Sequence, residues 1–242
     1  MIDCIIQART GSTRFPNKIL NNITQDKNVL EFLLDQLQYS KLINKIIVAT
    51  TISEKDDSIV DLCKNKNIKF FRGDELNVLK RYYDCAQEFH SQNILRITSD
   101  CPLIDPELVD NGIEKFLDGG YDYITNSLEE TFPHGLDFQI LKFDVLKYVF
   151  ENAELYSEKE HVIPYILNNP GKFKIYNIKN EKNFSNFRIT VDWPDDLELI
   201  KKIIERTENR PILMKNIVEI LNKNPELMEI NSGHSRNELT KK

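Results

Sequence analysis

Several features that would settle the class of this chain at once are missing from it. No apolar run approaches the ~18 residues that a membrane span needs, so no membrane partner is expected. The cysteines, Cys4, Cys63, Cys85 and Cys101, lie far apart with no C-x-x-C pair, which speaks against a zinc site. Cys4, Cys63 and Cys85 sit among apolar neighbours and read as small core fillers in a reducing compartment. Positive charge is not in excess: 32 Lys and Arg against 38 Asp and Glu give a net charge of −6 and a pI near 5.4. That balance argues against nucleic-acid binding as the main business. Neither the Gly-rich dinucleotide fingerprint nor a Walker loop occurs, which disfavours a dehydrogenase. No Asp-x-Asp tripeptide occurs either, which weighs against a metal-dependent glycosyltransferase. There is no internal repeat, low-complexity stretch or clear linker. The chain runs straight into an apolar segment, so no signal peptide is expected, and a cytoplasmic location follows.

What remains is an ordinary globular composition, 40% hydrophobic and 29% charged over 242 residues, enough for one large domain with a buried core. The chain is organised around its opening. Cys4–Ile6 is a short apolar run of the kind that forms a buried parallel strand. It breaks into a loop carrying Arg9, Gly11, Ser12, Thr13, Arg14 and Lys18, where Pro16 bars an early helix. Three cations, two hydroxyls and a glycine directly after a buried strand suit a polyphosphate. Arginine grips phosphate oxygens two at a time and lysine acts as a point charge. Gly11 is expected at positive φ, so that successive N–H groups face one anion. A solvated basic loop capping a strand is the plainer reading of the same residues.

Strand and helix patterns then alternate. Val29–Leu37 has helical periodicity, 45–51 is a β-branched strand, a helix runs through Cys63, and 68–71 is a short strand before the turn Arg72-Gly73-Asp74. A helix bearing Val78, Arg81 and Tyr82 follows, then a strand over 93–98. This order predicts an α/β fold, a doubly wound, mostly parallel sheet whose strand C-termini share one edge with the opening loop. Just past the strand at 93–98 come Ser99 and Asp100, with Pro102 stopping the strand. Asp100 there can ligate a divalent cation beside a triphosphate or cap the next helix, a role that Asp105 fits better. Residues 121–180 read as a smaller mixed α+β insertion, with strands near 121–126 and 173–178 and a proline-kinked helix over 156–167. The segment 188–192 repeats the earlier grammar, a strand ending in Asp192 and a helix from Pro194. Asp192 suits a second cation ligand and equally an N-cap, and the roles are not exclusive. The domain is expected to run over 1–225, with 226–242 a loosely held tail.

The loop Gln7-Ala-Arg-Thr-Gly-Ser-Thr-Arg-Phe-Pro-Asn-Lys18 resembles the signature of sugar-activating nucleotidyltransferases. It is most like the cytidylyltransferase-like branch typified by the spore coat polysaccharide biosynthesis protein F family, which is related to acylneuraminate and deoxy-manno-octulosonate cytidylyltransferases. Thr98-Ser-Asp-Cys-Pro102, Pro133-His-Gly-Leu-Asp137, Glu160-His-Val-Ile-Pro-Tyr165 and Val191-Asp-Trp-Pro-Asp-Asp-Leu197 fit the same family, and the resemblance extends from Ile2 to about Leu221. It implies transfer of a nucleoside monophosphate, from CTP by family pattern, to a sugar-like acid or phosphate acceptor, with release of pyrophosphate, in surface polysaccharide or glycan biosynthesis. Mg²⁺ would be held by Asp100 and Asp192. Arg9, Arg14, Lys18 and Asp100 would carry the chemistry. Ala8, Arg9, Gly11, Ser12, Lys18 and Ser99 would surround the phosphates. Arg72, Gly73, Val78, Arg81 and Tyr82 would surround the base. His134, Gly135, Asp137, Glu160 and His161 would face the acceptor. Relatives of the wider fold often pair through the inserted segment, so the resemblance admits a homodimer. A nucleotide-sugar glycosyltransferase and a non-catalytic nucleotide-binding regulator are the rival readings. The regulator is expected to have lost one of Lys18, Asp100 or Asp192, and all three are present.

Overall fold

A computed structural model describes residues 1–234. The backbone of the fold is a seven-stranded sheet: β1 (Ile2–Gln7), β2 (Ile43–Thr51), β3 (Lys69–Gly73), β4 (Asn93–Thr98), β5 (Tyr123–Thr125), β6 (Gln139–Lys142) and β7 (Ile175–Asn177), in the order β3-β2-β1-β4-β6-β5-β7. Strands β1 to β4 pair in parallel, β6 runs antiparallel to both β4 and β5, and β7 is parallel to β5. The alternation of strand and helix therefore produces the doubly wound sheet its spacing implies. Central strands are buried on both faces, which is why β1 reads as an almost unbroken apolar run.

Helices cover both faces. On one lie α1 (Val29–Leu37), α2 (Asp57–Asn65) and α4 (Pro106–Gly119), whose Leu33, Cys63 and Ile113 pack against Cys4, Ile6 and Val48. On the other lie α3 (Val78–Glu88), α5 (Phe143–Asn152) and α7 (Pro164–Asn168), packed against Ile5, Ile47 and Ile94, with α6 (Tyr156–His161) lying on α3. Alternate residues of β1 thus serve opposite cores, as a period of two requires. A third apolar cluster joins α8 (Pro194–Ile204) and α9 (Met214–Lys223) to Leu103, Leu136, Ile189 and Val191. The amphipathic face of α9 is covered by this cluster within the chain.

Four local expectations are corrected. Residues 121–180 are only in part a layer on the main sheet: their helices lie on one face, but β5, β6 and β7 extend the sheet itself, because their apolar residues continue the same two cores. The proline-kinked helix is two helices, since Val162 adopts φ 67 between them and Pro164 opens α7. The segment 188–192 forms no ladder strand; Arg188 makes a single parallel bridge to His134. The chain from Pro225 is docked as far as His234, with a 3₁₀ turn at Pro225–Glu229 and buried Leu227 and Asn231. The remainder of that tail lies outside the described residues.

Candidate active site

The C-terminal ends of β2, β1 and β4 lie side by side, and the pairing of β1 with each neighbour continues one step past the strands. Ala8 N donates to Ala49 O at 3.2 Å and Ser99 N to Gln7 O at 3.3 Å. The loops that begin at Ala8 and Ser99 therefore start as neighbours on one edge of the sheet.

The opening loop is held by its own backbone and by one buried acid. Thr10 O accepts from both Ser12 N (2.8 Å) and Asn17 N (3.1 Å), and Ser12 Oγ accepts from Phe15 N at 3.3 Å. The left-handed residue of the loop is Asn17, at φ 57, whereas the glycines at positive φ are Gly120 and Gly135. Gly11 is thus not the turning point expected of it, and a methyl group there would meet nothing within 4 Å. Asp56 accepts from Thr10 N and Thr10 Oγ1, both at 2.7 Å, and from the Thr51 hydroxyl. Asp56 stands just before α2, yet it is buried and ties the root of this loop to β2. No sequence signal separates it from the neighbouring acids Glu54 and Asp57.

Lys18 then reaches across the edge. Its ammonium donates to Asp100 Oδ2 at 2.7 Å and Asp192 Oδ1 at 2.9 Å, while Arg14 Nη2 donates to the same Asp192 oxygen at 2.8 Å. Burial alone would raise the Asp100 carboxyl, but the Lys18 ammonium beside it holds it well below the usual carboxylate range. Burial would correspondingly lower Lys18, and Asp100 and Asp192 more than reverse that, leaving it raised. Asp192 is delivered by the extended segment before α8, which is fastened on both sides. Ile189 N donates to His134 O (2.7 Å), Val191 N to Asp100 O (2.8 Å) and Thr190 Oγ1 to Asp100 O (3.1 Å). Gly135 permits the first of these contacts. It sits at φ 113, and a Cβ there would lie 2.7 Å from the backbone carbonyl of Ile189.

Arg188 and Asp196 support Asp192 from behind. Arg188 Nη2 donates to Asp192 Oδ2 at 3.0 Å and to Asp196 Oδ2 at 2.9 Å, and Nε donates to Asp196 Oδ1 at 2.8 Å. Asp196 also accepts from the backbone N–H groups of Asp192 (2.9 Å) and Trp193 (3.0 Å), the work of an acid three residues into a helix. Burial would raise its carboxyl, but the Arg188 guanidinium and Asn231 amide bring it below the ordinary value. Asp192 therefore does not cap α8; Trp193 is the N-cap residue and Asp196 takes the free donors.

The remaining sequence candidates divide. His134 Nδ1 lies 3.2 Å from Arg188 Nη1, and its Nε2 is 4.0 Å from Asp137, so both belong to the same neighbourhood as Asp192. Arg9 is half-buried, with Arg81 close enough for their charges to interact. Burial, and after it the Arg9 charge, lower Arg81, whose Nη1 donates to Asp74 O at 2.7 Å while its buried Nε has no partner among the described residues. Gly73 leaves room for that stem, since a Cβ would stand 3.0 Å from Arg81 Cγ. Arg72 is a strut rather than an open donor, bonded to Thr51 O, Ser53 O and Asp57. Val78 and Tyr82 are core residues. Both are buried in the cluster under β1 and β2, and burial pushes the Tyr82 hydroxyl up to about 12. Glu160 and His161 lie at the end of α6, 4.0 Å apart, with the His161 side chain half exposed. No contact among the described residues joins them to the Lys18 cluster.

Two carboxylates gathered by one ammonium make a set of hard oxygen donors. Mg²⁺ beside a nucleotide typically takes one or two protein carboxylates and completes its shell with phosphate oxygens and water. The pair Asp100 and Asp192 fits that requirement. Among the described residues no group of three or more His, Cys, Asp or Glu side chains gathers for an all-protein metal cage. No helix among them is long and apolar enough to cross a membrane.

Comparison with known proteins shows the family. A family model described as cytidylyltransferase matches residues 4–229. An uncharacterized protein of Methanocaldococcus jannaschii is 36% identical over 95% of this chain and 93% of its own length. The spore coat polysaccharide biosynthesis protein SpsF of Bacillus subtilis is 31% identical over 92% of this chain and 94% of its own. A solved structure of a cytidylyltransferase from Leptospira borgpetersenii superimposes with a TM-score of 0.90 at 33% identity, covering 94% of this chain and 96% of that one.

Proposed function

This chain belongs to the cytidylyltransferase family, and on that footing we propose that it transfers CMP from CTP to a sugar-like acid or phosphate acceptor, releasing pyrophosphate, in the making of a surface polysaccharide or glycan. The observation that carries the reading is Lys18, whose ammonium bridges Asp100 and Asp192 at 2.7 and 2.9 Å. A cation from the opening loop and two carboxylates, one past β4 and one before α8, converge on one point of the sheet edge. A nucleotide-binding regulator has no need of that convergence, and the nucleotidyl-transfer reading uses every member of it.

In the proposed reaction an acceptor oxygen attacks the α-phosphorus. The bond to the bridging oxygen of the β-phosphate breaks, and pyrophosphate leaves with the electron pair. Such a step depends on positioning and charge neutralisation. Mg²⁺, bound by Asp100 and Asp192, would neutralise charge on the phosphate oxygens. Arg9 and Arg14, with Lys18 released from the carboxylates, hold the β- and γ-phosphates and stabilise the departing pyrophosphate. Exposed Gly11 leaves space over the loop for the phosphates, and the loop backbone from Ala8 to Ser12, with Ser99 beside it, borders them. Arg81 and Gly73 flank the base side, and His134 and Asp137 flank the acceptor side. No general base is required when the acceptor's nucleophile is already a phosphate or carboxylate oxygen.

Thermal unfolding in CTP, UTP, GTP, ATP and dTTP, each with and without Mg²⁺, tests the reading before any acceptor is known. A ligand at 100 times its Kd adds about 2.7 kcal/mol. A Mg²⁺-dependent rise confined to CTP is expected. A rise with another triphosphate would change the nucleotide, and no rise with any would overturn the phosphate site.

A further inference from the structure

Asp192 can serve a metal and nucleotide only if its carboxylate is held in place, and part of what holds it comes from the end of the described chain. Asp196, fully buried behind Asp192, accepts from Asn231 Nδ2 at 2.7 Å as well as from Arg188 and the backbone of Asp192 and Trp193. The same Asn231 amide donates to Arg188 O at 3.1 Å. Asn231 is 4% exposed. Three residues on, His234 lies flat against Trp193, with ring centroids 4.9 Å apart and planes 8° from parallel. Its Nε2 is 2.8 and 3.0 Å from the Asp195 carboxylate oxygens. Arg14 stands 5.5 Å from the centroid of the same Trp193 ring. The tail thus touches the supports of two side chains of the opening crevice, Asp192 and Arg14, without entering the crevice.

We infer that Asn231 and His234 are positioning residues of the active site, acting through Asp196 and Arg188 on Asp192 and through Trp193 on Arg14. The inference rests on the reading of Asp192 as a metal ligand given above. Asn231 suits the part because it is a neutral donor to a buried carboxylate. It satisfies Asp196 Oδ1 without competing for the Arg188 charge, and leaves the guanidinium free to hold Asp192 Oδ2. Replacing it with an apolar side chain removes a donor from both Asp196 and the Arg188 carbonyl at once. The guanidinium then loses its fixed seat, and Asp192 with it. His234 acts by shape: its ring presses on Trp193, which fixes the indole surface against which Arg14 lies.

The test is calorimetric binding of CTP to the full chain over a range of Mg²⁺ concentrations. Groups that orient metal ligands typically contribute about 10–100-fold in metal affinity. Asn231→Leu should therefore raise the Mg²⁺ midpoint for CTP binding about tenfold and leave metal-free CTP affinity unchanged. His234→Ala should weaken CTP binding, and His234→Phe, which keeps a flat ring on Trp193, should restore it. His234 is only partly buried, so this second pair remains informative if Asn231→Leu fails to fold. An Asn231→Leu protein with lowered Tm but a wild-type Mg²⁺ midpoint, or His234→Phe no better than His234→Ala, would overturn the inference alone. A wild-type protein with no Mg²⁺ response would overturn the metal role of Asp192 and this inference together.

Discussion

Removing Lys18 should do more damage to the ligand-free fold than removing the acid it holds. The ammonium lies 2.7 and 2.9 Å from two carboxylates, with side-chain exposures of 12% for Lys18, 24% for Asp100 and 9% for Asp192. Breaking a buried pair by deleting one partner costs about 3–5 kcal/mol, because the other charge is left uncompensated. Asp192 keeps Arg14 and Arg188, so only Asp100 is orphaned, and its partial exposure lowers the cost to roughly 2–3 kcal/mol. At about 2–4 °C per kcal/mol for a chain of this size, Lys18→Ala should lower Tm by roughly 5–10 °C. Asp100→Asn in the Lys18→Ala background removes the orphaned charge and should recover most of that loss. The double-mutant cycle should give a coupling of at least about 1.5 kcal/mol. Mg²⁺ alone should stabilise Lys18→Ala more than wild type, since it then replaces the lost ammonium beside the orphaned Asp100 and its neighbour Asp192. Differential scanning calorimetry of the four proteins, with and without Mg²⁺, measures all of this. Additive effects within about 0.5 kcal/mol, which is the behaviour of independent sites, would refute the reasoning.

Other expectations follow from the same geometry. Gly135→Ala should cost at least ~2 kcal/mol, because a Cβ at φ 113 meets the Ile189 backbone at 2.7 Å; Gly11→Ala, facing open space, should stay within about 0.5 kcal/mol of wild type by chemical denaturation. Asp56→Ala should cost about 1–3 kcal/mol for the stranded Thr10 N–H, and faster hydrogen exchange at Thr10 would check that the loop root has opened. Asp100 has a depressed carboxyl in the folded state, so its stabilising effect is complete above the unfolded value of about 4 and is lost as pH falls through the folded one. The stability advantage of wild type over Asp100→Asn should therefore shrink as pH falls below about 4, and a difference that does not vary with acid pH would contradict the pairing.

The sheet was legible because its signals are local. Buried strands, helical periodicity and the prolines at 102 and 194 each announce an element or its end within a few residues. The meeting of Lys18 and Asp100 at one edge was legible for the same reason, since parallel topology sends loops to one side, whereas Asp192 joins them from a segment that forms no ladder strand. What escaped was the role of residues whose neighbours come from far away. Nothing in Glu54-Lys-Asp-Asp57 says that Asp56 turns inward to Thr10 and Thr51, or that Asn231 closes over Asp196. Val78 and Tyr82 looked like base contacts by their place in a family-like segment, but their apolar spacing on α3 is that of a core face. The glycine of the opening loop suggests the turning point, but the left-handed residue there is Asn17. Asp192 satisfied two sequence readings at once, and only the contact of Asp196 with the α8 donors separates them.

In the proposed reaction the crevice moves a nucleotidyl group and not a phosphoryl or glycosyl group. The most direct measurement follows the label from CTP carrying ³²P at the α or the γ position, with Mg²⁺ and a panel of sugar acids and sugar phosphates, in wild type and Asp100→Asn. α-Label should appear on an acceptor and γ-label in pyrophosphate, and neither should appear with Asp100→Asn. A γ-label on the acceptor, or wild-type transfer by Asp100→Asn, would contradict the proposed reaction.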